Sequence, residues 1–206
     1  MAVERTSRPV ARARAAMAAR REPRMPRPQR RLTAAAFHEA GHAVAAYHLH
    51  VRLRRLSIGA DDGEALGWLD LWLPHVTSGE AENVRLAQAV ERDIIVLLAG
   101  AQAERIGVGR SSCPAGGLDF YEAMRRAGSI CRTSEEMSAC LRWLQLRTRA
   151  LVASPTWRQP IETLAACLLE RRQLGARETR AIIRAAMSGE RRPLRRVSRR
   201  RFTTAT

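Results

Sequence analysis

The stretch AAFHEAGHAVAAYHLH, residues 35–50, holds four of the chain's five histidines and sets a glutamate beside the first of them. His38 and His42 stand four residues apart. On a helix that spacing stacks two imidazoles on one face, one turn above the other, where both can grip one Zn2+. Glu39 then lies beside the metal, placed to take a proton from a zinc-activated water as it attacks a carbonyl. The plain alternative is a pair of surface histidines on an amphipathic helix. Against it, AAF before and AVAA after make this helix a buried one, and ionisable groups in a buried helix need partners.

Catalytic zinc takes a third protein ligand and keeps a fourth position open. His48 falls at the third histidine of the metzincin spacing HExxHxxGxxH, but the glycine that breaks the helix in that pattern is Ala45 here. If the helix continues, His48 lies about 9 Å along the axis from His42 and well round the cylinder. His50 and His75 have no helical relation to the pair and default to the surface. The other candidate is distant: in CPAGGLDFYEAMRRAGSI, Asp119 opens a helix just after two glycines, from where a carboxylate can reach out of the loop.

The scaffold for these groups reads as mainly α with a small β element. Helices are expected at 33–50, with Thr33 as N-cap, and at 79–106, 118–132, 134–152, 160–171 and 176–187. VRLRRLSIG, residues 51–59, alternates apolar and basic residues with period two, and LGWLDLWLP, residues 66–74, again looks extended. Together they suggest a hairpin with a long loop around ADDGEA. A glycine-rich loop, GVGRSSCPAGG, separates the second and third helices.

At 206 residues the chain suits one domain with a real core. Its charge is uneven. Residues 1–31 carry ten arginines against two glutamates and residues 188–206 carry seven against one, so of the net +16 only +2 falls on residues 32–187. Both ends are poor in large apolar residues, which predicts disordered tails at 1–31 and 188–206 around a folded unit at 32–187. Such tails could attract nucleic acid, anionic lipid or an acidic partner, or simply stay solvated. The longest apolar run, IIVLLAGAQA, is about half of the roughly 20 residues that span a bilayer, so no membrane span is expected. The N-terminus lacks the apolar core of a secretory signal, and the four cysteines form no CxxC pair. A cytoplasmic chain with reduced thiols is the expectation.

Several segments, in order, resemble one family. FHEAGHAVAAY is similar to the active-site helix of the FtsH-type zinc metallopeptidases, ALGWLDLWLP to their strand, and IIVLLAGAQAERIGVG to their helix with a GGRAAEE core. GGLDFYEAMRRAGSI resembles the segment that carries the family's third zinc ligand, and IETLAACLLERRQLGARETRAII the closing helical pair. The resemblance covers roughly residues 32–187. It implies an FtsH peptidase-like helical bundle with a zincin-type HExxH helix, zinc held by His38, His42 and Asp119, and Glu39 as the base. It places Glu104 beside the site, where it could orient a histidine; an ordinary exposed helix charge is the other reading.

It also implies that the strand containing Gly67, Trp68, Leu69, Asp70 and Leu71 pairs with an extended peptide or unfolded-protein substrate. Trp68, Leu71 and Trp72 could equally be core. The chain departs from the family in having neither its transmembrane segments nor its ATPase module; without lysine it has no Walker A loop. Any ATP-driven unfolding is expected from a separate ATPase or unfoldase partner, and homo-oligomer assembly stays open. A second function class is a binding or regulatory protein that kept the fold and acts through its basic tails.

Overall fold

A computed structural model describes residues 26–61, 64–72, 84–109 and 117–189. In chain order it runs α1 (Arg27–His48), β1 (Arg52–Asp61), β2 (Glu64–Trp72), α2 (Val84–Val108), α3 (Leu118–Ile130), α4 (Ser134–Ala153), α5 (Pro155–Arg171), β3 (Gln173–Gly175) and α6 (Ala176–Met187). Among the described residues it is mainly helical, with one three-stranded antiparallel sheet ordered β2-β1-β3. No described helix is long and apolar enough to cross a membrane.

The histidine helix α1 runs through the centre, packed on α2, α5 and the sheet. Small side chains make this possible: Ala36, Ala40, Ala43, Val44, Ala45 and Ala46 are all fully buried. The crossing with α2 is closer still at Gly41, where an added Cβ would come 2.7 Å from the Ala99 carbonyl oxygen. Gly107 does the same service for the Phe37 ring, which lies where a Cβ would be. Two backbones that close need residues without bulk at the contact.

α1 begins at Arg27, six residues before the expected start. Prolines suit a first turn, where the missing N–H costs nothing, and here Pro26 is the N-cap and Pro28 the second helical residue. The added turn is tied down by Arg30, which donates to the Val108 carbonyl at 2.9 Å. Thr33 is therefore no cap: it is buried inside the helix, and its hydroxyl donates back to the Gln29 carbonyl at 2.9 Å. The boundary at 31/32 falls within a helix, and the remainder of the expected N-terminal tail, residues 1–25, lies outside the described residues. So does the C-terminal tail from residue 190 onward.

Strand β1 departs from strict alternation. A bulge between Leu53 and Arg55 resets the pleat, so that Leu53, Leu56 and Ile58 all face the core. The β1–β2 pairing continues to Asp61 opposite Glu64, so two residues rather than a long loop join the strands. α5 starts at Pro155, five residues early, and Gln173–Gly175 adds a third strand beside β1.

Candidate metal centre

Three side chains from two helices converge. His38 Nε2 lies 2.9 Å from Asp119 Oδ2, and His42 Nε2 lies 3.3 Å from the same oxygen. The two imidazoles stand edge to face with centroids 4.6 Å apart. One nitrogen from each histidine and one oxygen of Asp119 fall within 4.8 Å of one another, so His38, His42 and Asp119 form a group that could hold a metal ion.

Each of the three side chains is aimed by its surroundings. The His42 Nδ1–H donates to the Val96 carbonyl at 2.7 Å, because a carbonyl can only accept, and this turns Nε2 toward Asp119. The His38 Nδ1 lies 3.8 Å from Glu104 Oε2. Glu104 is 1% exposed, so it is a buried neighbour of His38 rather than a solvated helix charge. Asp119 sits in the first turn of α3, just after Gly117, where the helix dipole favours a carboxylate.

Gly100 provides the space. A Cβ there would overlap His42 Nε2 and sit 2.8 Å from His38 Nε2. The resemblance puts Ala99-Gly100 at the family's glycine pair, but the role of Gly100 as the space for both imidazoles is not legible in the sequence.

The fit to a metal can be judged from the donors and from Glu39. Two imidazole nitrogens and one carboxylate are a zinc-type donor set. Glu39 is 5% exposed, and its Oε2 has no hydrogen-bond partner among the described residues. A buried carboxylate oxygen left unpaired costs about 1–3 kcal/mol or more, so a positive or protic group beside it would be favoured. Burial pushes the Glu39 carboxyl up, and the histidines offset this only in part.

Burial alone would lower His38, but hydrogen bonds to Asp119 and Glu104 outweigh it and raise the imidazole to about 10. Burial likewise works against the Asp119 charge, and the bonds to His38 and His42 outweigh it and hold the carboxyl far below its usual range. A proton held on His38 by these carboxylates would compete with a metal ion for the same group. A zinc ion taken up by this group would displace that proton, so apparent zinc affinity should rise roughly tenfold per pH unit for one proton released. Calorimetric titration at about pH 6 and about pH 8 checks this, and an affinity independent of pH would contradict a protonated site.

His48 belongs elsewhere. It stacks on Trp157 of α5, with centroids 5.0 Å apart and rings 7° from parallel, and hydrogen-bonds to the Thr156 backbone. Pro160, four residues after Thr156 and lacking an N–H, leaves that carbonyl without its helical donor. His48 thus joins α1 to α5 and stays outside the three-residue group. His75 and Cys113 lie outside the described residues.

Gly67, Trp68, Leu69, Asp70 and Leu71 lie in β2, opposite Ile58, Ser57, Leu56, Arg55 and Leu53. β2 is an edge strand against α1, and no other described strand pairs with its outer edge. Whether Trp68, Leu71 and Trp72 are core or exposed concerns side chains outside the described ones.

A buried ion pair links α2 to α3. Arg126 Nη1 donates to Asp93 Oδ2 at 2.8 Å and Arg126 Nε to Glu122 Oε1 at 3.0 Å, with Asp93 and Arg126 each 4% exposed. Burial pushes the Asp93 carboxyl up, while Arg126 and Arg92 pull it back. Removing one partner of such a pair costs about 3–5 kcal/mol, whereas replacing both by apolar residues is often neutral.

No family model matches the sequence, and no curated protein matches it.

Proposed function

We propose that this chain is a zinc-dependent metalloendopeptidase of the FtsH type, hydrolysing peptide bonds of unfolded proteins or peptides. The observation that carries this reading is the convergence of both imidazole Nε2 atoms on Asp119, with a buried Glu39 oxygen in the histidine helix that has no partner among the described residues. His38, His42 and Asp119 would hold the ion. Bound zinc would supply Lewis acidity, polarising the scissile carbonyl and acidifying a water.

Glu39 takes the proton of the attacking water and returns it to the leaving amine, which its raised affinity for protons suits. Val96 and Glu104 keep the rings oriented, and the outer edge of β2 aligns the substrate as an added strand. Backbone pairing reads extended conformation more than sequence, which fits unfolded chains delivered by a separate ATPase or unfoldase in the cytoplasm.

The test is zinc content of the purified protein together with casein cleavage, with and without chelator. About one zinc per chain and chelator-sensitive cleavage are expected. Zinc bound without cleavage under any condition would overturn the peptidase reading in favour of a binding protein.

A further inference from the structure

Asp119 reaches the histidines from a helix with little apolar anchorage. The only fully buried apolar residues of α3 are Ala123 and Ala127, and Phe120, Met124 and Ile130 pack at the margin. Short methyl groups grip a neighbouring helix weakly against sliding or rolling. Yet a slip of one residue moves a helix about 1.5 Å along its axis and turns it by about 100°, which would carry Asp119 off the imidazoles.

The third buried residue of α3 is Arg126, seven positions and so about two turns after Asp119, on the same face. Its partner Asp93 lies seven positions before Gly100, the residue against which both imidazoles rest. The Asp93–Arg126 contact and the Gly100–histidine–Asp119 contact are therefore two rungs of one antiparallel ladder between α2 and α3. Asp93 is also one turn before Val96, whose carbonyl holds His42.

We propose that the buried Asp93–Arg126 pair sets the register of α3 against α2 and so delivers Asp119 to the two imidazoles. Arg126 is a positioning residue. Its planar guanidinium addresses Asp93 and Glu122 from different nitrogens, which fixes rotation as well as distance. The inference rests on the reading of His38, His42 and Asp119 as a metal centre.

The test compares the full chain with the Asp93→Leu/Arg126→Met double variant, which removes both charges of the pair and strands neither partner, measuring thermal midpoint, zinc affinity by competition, and the Co2+ absorption spectrum. The expected result is a midpoint close to wild type, zinc affinity reduced at least about tenfold, and an altered Co2+ spectrum. Wild-type affinity and spectrum in a folded double variant would overturn the proposal, leaving the pair a matter of stability only.

Should the double variant fail to fold, Arg126→Lys serves instead, since a single ammonium cannot span both carboxylates as the fork does; unchanged affinity there overturns the proposal equally. If wild type itself takes up no zinc, the metal reading fails separately. Imidazole 15N signals of metal-free protein then decide the register: loss of the His38–Asp119 contact in the variant supports the proposal, and its persistence refutes it.

Discussion

Replacing Glu39 by Gln should leave zinc bound and slow casein cleavage by about a hundredfold to ten thousandfold, the range over which a positioned general base acts. The two side chains have nearly the same shape, so the packing of α1 on α2 is preserved. What changes is the ability to accept a proton. Among the described residues Glu39 Oε2 has no hydrogen-bond partner, and burial raises its affinity for a proton. Those are the properties of a base held in readiness, because a carboxylate already satisfied by hydrogen bonds would be a poor proton acceptor. Zinc content and cleavage rate measured on the same preparation separate the two roles. If the variant cleaves at the wild-type rate, Glu39 is not the base; if it loses zinc as well, Glu39 shapes the metal site rather than the proton transfer.

What could be read from the sequence follows a physical division. The pair His38 and His42 was legible because a helix turns locally residue spacing into a shared face, and the alanines around them announced burial. The last helix, Ala176–Met187, and the hairpin strands were legible for the same reason, since their apolar periodicity is local. The start of α1 was not. RPQRR carries the charge and proline of a solvated tail, and it becomes helix because the prolines fall in the first turn and Arg30 finds the Val108 carbonyl 78 residues away.

Strand β3 has three residues and exists through its pairing with β1, so no periodicity could reveal it. Asp119 sits 81 residues from His38, and only the family resemblance, together with its place after two glycines, singled it out. Nothing local in the sequence marks Asp93 or Arg126, because no spacing says that two ions will meet in the interior. Contacts between distant segments are where patterning runs out, and here they include the Val96 carbonyl and Glu104, which flank His42 and His38.

Gly100 makes that dependence measurable. Gly100→Ala should abolish zinc binding, taking the protein from about one zinc per chain to less than about a tenth, as Asp119→Ala should. The new methyl would overlap His42 Nε2 and lie 2.7 Å from its Cε1 and 2.8 Å from His38 Nε2, so the imidazoles must give way. His42 cannot rotate freely, because its Nδ1–H is committed to the Val96 carbonyl, and His38 is flanked by Asp119 and Glu104.

Alanine also favours helix over glycine by about 1 kcal/mol, which offsets part of the roughly 1–3 kcal/mol cost of overpacking. The variant should therefore stay folded while losing its metal, a separation that thermal melting and zinc analysis will show. Gly59→Ala is the matched control, since its Cβ meets nothing within 4 Å, and it should bind zinc as wild type does. Full zinc occupancy in Gly100→Ala would mean that the metal sits elsewhere than between these two rings, and the convergence of His38, His42 and Asp119 would then be an ion-pair network instead of a metal site.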